Sequence, residues 1–507
     1  MQRLNRNTLK DIIAASKPDC GSTEIYPERI IQFGEGNFLR AFADWQVGEL
    51  NAKGLFKGQV VVVQPIQQGM AAELNAQGGL YTLLMRGVEK GKVSEKRRLV
   101  TSISRALNPY EQWTELQKLF QSAQTRFVIS NTTEAGIAYA PETYKPGVCQ
   151  NTFPAKITAL LLARYEAFKG EAGKGLVFLP CELIDRNGEK LRQAVLHYAQ
   201  DWKLPASFVA WVRDNNIFCN TLVDRIVPGY PRAEAAKICS ELGYEDKLLV
   251  ATEHFHLWVI EGPKQLGDEL PFAKAGLNVI WTDDMTPYRT RKVRVLNGAH
   301  TSSVLAAYAT GIDTVQAMVE DPVCGAFLRR AVYEEILPEL ALPEAEKRAY
   351  ADSVIERFLN PFVRHELLSI SLNSVSKWKV RVLPSLLDSL KSKGRLPAAL
   401  SFSLAALIWF YRGEAKGPNE LRGFRNAQAY PIRDDAPVLE FFAKSWAEAR
   451  SMTPEQLRAL VISTLGQSSF WDKNLNEIPG FTDAVASGLQ TIVAYGMRNA
   501  VDAVVRS

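Results

Sequence analysis

The chain has 507 residues, 47% hydrophobic and 23% charged, with a net charge of +5. That length exceeds what a single hydrophobic core organises, so two domains are expected, and the composition excludes large-scale disorder. A charge this mild, with its densest run at Lys96-Arg97-Arg98 directly after Glu95, describes a solvated face and argues against a nucleic-acid partner.

The N-terminal residues 1–21 contain no uninterrupted apolar core with a small-residue cleavage site, so no signal peptide is expected. Residues 396–411 form the longest apolar run, but Pro397, Ser401 and Ser403 interrupt it. It falls short of a bilayer span and reads as a buried helix, with no membrane partner. Six cysteines, at 20, 149, 181, 219, 239 and 324, form no CxxC pair. Such scatter suits a reducing compartment and argues against a zinc framework, so a cytoplasmic protein without metal is expected.

Up to about residue 285, short β-branched runs alternate with amphipathic stretches: ERIIQF, QVVVVQP, RFVIS, GLVFLP, KLLVAT and LNVIWT. Continuous apolar runs of this length predict buried parallel strands with crossover helices. Beyond residue 287 such runs nearly vanish and long helical patterns take over, as in PVCGAFLRRAVYEEILPEL. The expected fold is α/β: a Rossmann-type, doubly wound sheet over residues 1–285, then an all-α domain over 286–507.

The first of these strands runs into a turn, RIIQFGEGNFLRAF. Phe33 ends the strand, Gly34 and Gly36 bracket the turn, and a helix can begin at Asn37-Phe38. A dinucleotide site uses this order: one glycine for the tight turn, a second for close approach of the pyrophosphate, and free N–H groups at the helix start. Leu39 stands where a third glycine would be, and an ordinary strand-turn-helix unit fits the same pattern. The strand after it ends at Gln64, thirty residues beyond Gly34, where a carboxylate usually marks NAD and an arginine NADP. Neither is present. With no cation to receive a 2′-phosphate, NAD is the expected cofactor, and Gln64 is a candidate for the adenosine ribose. Farther on, Ser130-Asn131-Thr132-Thr133-Glu134 closes a strand; Asn131 and Thr132 can either cap a helix or line the nicotinamide side.

Residues 288–304, YRTRKVRVLNGAHTSSV, set four basic residues, an Asn and a His among apolar ones. On an α-helical wheel Arg289, Asn297 and His300 lie roughly 60°, 140° and 80° from Lys292, all on one side. Val293 and Leu296 fall in the same arc, while Arg291 and Arg294 point away. A lysine near apolar groups and another cation has its charged form disfavoured, which suits a general acid/base. A neighbouring amide can hold a developing alkoxide. A helix whose Asn and His merely tie it to other structure fits the same spacing.

Lys292-x4-Asn297-x2-His300, the turn Gly34-x-Gly36-Asn37-Phe38-x-Arg40-Ala41, and the blocks NTLVDRIVP (220–228), TEHFHLWVIEG (252–262) and SKWKVRVLPSL (376–386) together resemble the polyol-specific long-chain dehydrogenases. That family includes mannitol 2-dehydrogenase and the hexuronate reductases, and the resemblance extends over nearly the whole chain. It implies NAD-dependent reversible reduction of a keto sugar, with Lys292 as acid/base, Asn297 as oxyanion-binding amide, His300 and Asp224 on substrate hydroxyls, and Lys377 as a further substrate contact. Two positions depart from the mannitol-type pattern. Cys181-Glu182-Leu183 stands where those enzymes resemble CDN, removing a second oxyanion amide. Arg289 stands where they place a Glu. A cation in place of that anion is costly for a neutral polyol and favourable for a carboxylate, which Arg binds in bidentate fashion. The implied substrate is therefore a small acidic sugar, and the implied reaction joins tagaturonate and altronate. A mannitol- or fructuronate-type reductase and a non-catalytic dinucleotide-sensing module are the alternatives. Either a monomer or a homodimer suits the sequence.

Three other patterns are set aside. Tyr165-x3-Lys169 matches the pair of short-chain dehydrogenases at a frequency expected by chance. His254-x-His256 lacks a third ligand nearby. Asp283-Asp284 precedes the Lys292 helix and faces no partner carboxylate.

Overall fold

The valines at 60–63 are all completely buried, as are Ile30, Ile31 and Phe33 on the neighbouring strand. A strand with apolar residues on both of its alternating faces has to be covered on both sides. In the computed structural model, which describes residues 1–133, 135–417 and 420–507, this is what the chain achieves. Six strands form one all-parallel sheet: β1 (Glu28–Phe33), β2 (Gln59–Val63), β3 (Ile103–Leu107), β4 (Phe127–Ser130), β5 (Val177–Pro180) and β6 (Ile217–Phe218). Ile30, Val60, Val62, Ile129 and Leu179 enter the core on one face; Ile31, Val61, Val63, Val128 and Phe178 enter that on the other. Each such side chain contributes roughly 1.5–3 kcal/mol of burial.

The strand order is β3-β2-β1-β4-β5-β6. This is the order of the dinucleotide-binding folds, with the reversal between β1 and β4. The ends of those two strands are joined: the Asn131 N–H donates to the Phe33 carbonyl at 3.0 Å. Four of the six apolar runs read as strands lie in this sheet. Val250–Thr252 instead pairs in parallel with Tyr81–Glu89, and Val279–Thr282 in parallel with Leu257–Glu261. The short strands β3 and β6 have no run of their own.

The chain folds as two compact units, residues 1–86 with 94–285, and residues 87–93 with 286–507. The second is largely helical, its central helix Ala398–Phe410 buried nearly all round. It differs from an all-α domain by one three-stranded antiparallel sheet, Gly413–Gly417, Glu420–Arg425 and Gln428–Ile432. Those strands are short, and the first is exposed and polar, so no apolar run marks them. Among the described residues no helix is long and apolar enough to cross a membrane.

The two glycines of the turn after β1 serve different ends. Gly34 has φ +125, and a Cβ there would stand 2.9 Å from the Asn131 carbonyl oxygen and 3.0 Å from Leu39. Gly36 has ordinary dihedrals, φ −67 and ψ 167, and a Cβ there would meet nothing within 4 Å. Gly34 is required by the fold, whereas the space beside Gly36 is open. Gly36→Ala should therefore leave the melting temperature unchanged and weaken NADH at least tenfold, about 1.4 kcal/mol, in a fluorescence titration. Gly34→Ala should lower both stability and affinity. Wild-type NADH affinity in Gly36→Ala would remove the cofactor from this turn.

Candidate active site

In the first unit, buried polar groups build the glycine turn from beneath. Arg40, 1% exposed, donates to the Glu35 carbonyl at 3.2 Å, to Asn37 Oδ1 at 2.7 Å and to the Leu248 carbonyl at 2.6 Å. Burial lowers its pKa, but the guanidinium stays charged and fully engaged. Gln32 Nε2 donates to the Gly34 carbonyl at 3.1 Å and to Asp44 Oδ2 at 3.0 Å. Asp44 is itself wholly buried, which pushes its carboxyl up to about 7. Gly229, at φ +92, leaves room for the Asn37 amide, which lies 2.6 Å from where a Cβ would be. The result is a rigid turn whose partly exposed rim consists of Glu35, Gly36, Asn37 and Phe38. The Phe33 ring faces the core against Phe153, with centroids 5.1 Å apart, so only its backbone reaches the turn. Leu39 is buried in the core where a third glycine would stand.

Gln64 is 3% exposed and closes its own loop. Its Nε2 donates to the carbonyls of Ile66 and Gln67 at 3.1 and 3.0 Å, and its Oε1 accepts from the Ala71 N–H at 3.3 Å. One acceptor lone pair remains.

The cluster after β4 is organised by a residue that in the sequence marks only a departure from the mannitol-type pattern. Glu182 is 2% exposed; its Oε1 accepts from the Thr132 N–H at 2.9 Å and the Thr132 hydroxyl at 3.0 Å, and its Oε2 from the Ser130 hydroxyl at 3.0 Å. Burial raises its pKa while these bonds oppose the rise. Asn131 donates to the Cys181 carbonyl at 3.1 Å. Neither capping a helix nor pointing free, Asn131 and Thr132 are pinned to the residues that follow β5. Glu134 lies outside the described residues. A carboxylate between a strand end and a loop is hard to foresee, because its partners lie fifty residues away.

Asp224, 6% exposed, ends the strand Asn220–Asp224. The next residue anchors it: Arg225 donates to the Ala41 carbonyl at 2.5 Å and lies 4.3 Å over the Trp45 ring. His254 and His256 are spent on the backbone. His254 Nε2 bonds the Ser94 carbonyl at 3.0 Å, and His256 Nε2 accepts from the Asn278 N–H at 3.0 Å. Burial holds His256 down to about 4, so it stays neutral. Tyr165 packs against Phe208 and Trp211.

In the second unit, Thr286–Arg291, Lys292–Asn297 and Gly298–Ala309 follow one another without a break. The middle segment is a π turn, in which the Gly298 N–H donates to Val293 five residues back. This corrects the uniform α-helical wheel. At roughly 80–85° per residue through an i→i+5 turn, Asn297 comes to within about 60° of Lys292 and His300 to within about 30°. The extra residue gathers onto one stripe what an α-helix would spread. Lys292, Asn297 and His300 are each partly exposed there, and Arg289 is exposed. Arg291 pairs with Glu346 at 2.7 Å beneath Tyr350, and Arg294 pairs with Asp388.

His300 stacks on Phe358, with centroids 4.3 Å apart and 17° between planes, and meets the His365 ring edge-on at 5.2 Å. Its Nε2 is shut from solvent without a hydrogen-bond partner among the described residues. Burial first, then His365, Arg381, Arg357 and Lys377, hold its pKa well below the usual histidine range. The ring is therefore a neutral group with an unspent nitrogen. Lys377 comes from the helix Ser374–Arg381, and burial and Arg381 lower its pKa.

Comparison with known proteins agrees with this architecture. Residues 28–274 match the mannitol dehydrogenase Rossmann domain and residues 284–493 the mannitol dehydrogenase C-terminal domain. Altronate oxidoreductase of Escherichia coli O139:H28 is 47% identical over 479 residues, covering 94% of this chain and 96% of that protein. The altronate oxidoreductase of Shigella flexneri is equally similar over the same span. Among solved structures, Pseudomonas fluorescens mannitol 2-dehydrogenase, in ternary complex with NAD and D-mannitol, aligns with TM-score 0.66 at 22% identity over all of both chains. A substrate-free D-sorbitol dehydrogenase aligns with TM-score 0.77 at 22% identity, over 98% of this chain and all of that one. With both domain models matched in order, the chain belongs to the mannitol dehydrogenase family.

Proposed function

We propose that this chain is a tagaturonate reductase, interconverting D-tagaturonate and D-altronate with NAD in hexuronate breakdown. It is an NAD-dependent oxidoreductase acting on CH–OH groups, and the 47% identity to altronate oxidoreductases over 94% of the chain carries the choice of substrate. The cations gathered around His300 support the same choice, because they suit a sugar acid better than a neutral polyol. Residues 1–285 would hold the cofactor and 286–507 the substrate. Six free cysteines support a place in the cytoplasm.

The rim of the glycine turn fits a dinucleotide. Gly34 and Gly36, the backbone of Phe33 and Phe38, and the Asn37 side chain would receive the pyrophosphate, while the loop closed by Gln64 takes the adenosine end. Asn131 and Thr132, pinned by Cys181 and Glu182, would border the nicotinamide end. When bound, the nucleotide would supply the hydride that reaches the keto carbon. Lys292, as the ammonium, gives its proton to the alkoxide oxygen that results and regains one from water; in the oxidative direction the neutral amine takes the hydroxyl proton. Asn297, whose amide has no hydrogen-bond partner among the described residues, donates to the same oxygen as charge grows there. His300 Nε2 holds a substrate hydroxyl, Lys377 meets the anionic substrate, and Arg289 adds positive charge one turn before Lys292.

Two measurements test this reading. In a spectrophotometric assay with a panel of ketouronates, NADH should outperform NADPH at least tenfold in kcat/KM, about 1.4 kcal/mol, since no cation marks the loop after β2. Equal efficiencies would contradict the cofactor assignment. Lys292→Ala should lower kcat at least a hundredfold, on the order of what a positioned acid/base contributes, with NADH affinity kept. Lys292→Arg should not restore it, because a guanidinium does not deprotonate in this range. An active alanine variant would transfer the proton role to another group.

A further inference from the structure

Around His300 the second unit collects His365, Arg381, Arg357 and Lys377. Lys377 and Arg381 stand four residues apart on the helix Ser374–Arg381, a spacing at which like charges repel. The helix is not free to turn them away. Trp378 between them is fully buried, donates to the Ser403 hydroxyl at 2.9 Å and lies edge-on to Trp471 at 5.5 Å. On the other side, Gly298 admits the Arg381 carbonyl oxygen to 3.2 Å from where a Cβ would be. A side chain at 298 would push apart the two helices that carry Arg381 and His300.

Few of the donors brought together in this way are used. Arg381 Nη1 makes one long bond, 3.4 Å, to the hydroxyl of Thr301 beside His300, and Lys377 Nζ makes one, 2.9 Å, to the Ile370 carbonyl. The groups acting on His300 after burial, namely His365, Arg381, Arg357 and Lys377, all lower its pKa. The carboxylate that acts on Lys377 is Asp434, which already accepts from the Tyr411 hydroxyl and from the Val375 N–H. Arg357 is 8% exposed and has other partners. A guanidinium with most of its five donors unspent, an ammonium one turn away and an orphaned imidazole nitrogen together lack an anion with two coplanar oxygens.

We propose that Arg381, with Lys377, binds the carboxylate of the substrate, and that Arg381 is the residue that makes the site select a sugar acid over a neutral ketose. Arg381 gives the carboxylate two parallel hydrogen bonds, Lys377 adds charge, and His300 Nε2 takes the adjoining hydroxyl. Arg289 is the weaker candidate, since an exposed ion pair is screened by solvent. This inference rests on the reading of the chain as a ketouronate reductase.

The test uses the full-length enzyme with NADH and two ketones: tagaturonate, and the neutral ketose with hydroxymethyl in place of the carboxylate. The quantity read is the ratio of their kcat/KM values. Arg381→Met should lower that ratio at least tenfold, chiefly through a higher KM for tagaturonate, with NADH affinity kept. Arg381→Lys, which retains charge but not the fork, should fall between. Equal losses on both ketones, or an unchanged ratio, would overturn the assignment; if the Met variant does not fold, an unchanged ratio in the Lys variant does so. Arg289→Gln, run alongside, should lower the ratio less than Arg381→Met, and the reverse order would give the carboxylate to Arg289. A wild-type enzyme that reduces only the neutral ketose would refute the reaction itself, whereas an active tagaturonate reductase indifferent to Arg381 would refute this inference alone.

Discussion

The guanidinium of Arg40 is the fixed point of the first unit. Taking a charge of this size out of water costs several kcal/mol unless its donors are met, and here they are met by groups that would otherwise be loose. Glu35 and Asn37 belong to the glycine turn, while Leu248 belongs to a segment two hundred residues later. Leu248 is in turn held by Asp246, whose carboxylate also receives the Thr82 N–H and the Gln77 amide. The Tyr81 hydroxyl returns to the Arg40 carbonyl at 2.5 Å. One buried cation thus ties the turn after β1 to the start of the strand Tyr81–Glu89 and to the last quarter of the unit. A phosphate-binding turn benefits from such support, because its backbone N–H groups must already point the right way before an anion arrives.

The second unit inverts this arrangement. Arg40 is buried with its partners in place; Lys377 and Arg381 are drawn together with one hydrogen bond each. The difference is visible only in the hydrogen bonds, and the proposed carboxylate site is built on it. Glu182 illustrates the same distinction among acids. In the sequence it marks the loss of an amide, and in the structure it is fully committed to Ser130 and Thr132. The Glu182 carboxylate is thereby spent on the protein's own groups, and in the function proposed here the oxyanion is left to Asn297 and Lys292.

Much of the first unit is legible in the sequence because its sheet is buried on both faces, so strands such as β2 are unbroken apolar runs. The glycine turn is legible from its position directly after the first of them. What cannot be read depends on partners distant in sequence. β6 is a two-residue strand that exists through its neighbour, and the antiparallel sheet of the second unit pairs polar strands. Gln64 reads as free to meet a ribose, yet its loop folds back on it. Lys292, Asn297 and His300 stand out by chemistry and spacing, although the α-helical wheel that aligns them assumes the wrong helix. Arg381 carries no signal, since a basic residue in the last turn of a helix is ordinary on dipole grounds alone.

The π turn at Lys292–Asn297 amounts to one residue more than an α-helix needs over the same rise. Deleting a residue there would relax the backbone into the commoner form and leave the flanking helix able to pack, so the loss would cost little in folding. It would also leave His300 on the stripe of Lys292, because the seven α-helical steps that remain close to within roughly 20° of two full turns. The turn is thus what lets a spacing of eight residues, which a uniform α-helix would leave roughly 80° apart, share one stripe. A chain with seven steps of plain α-helix between the two positions would therefore present the same pair of groups as this one does with eight and a π turn.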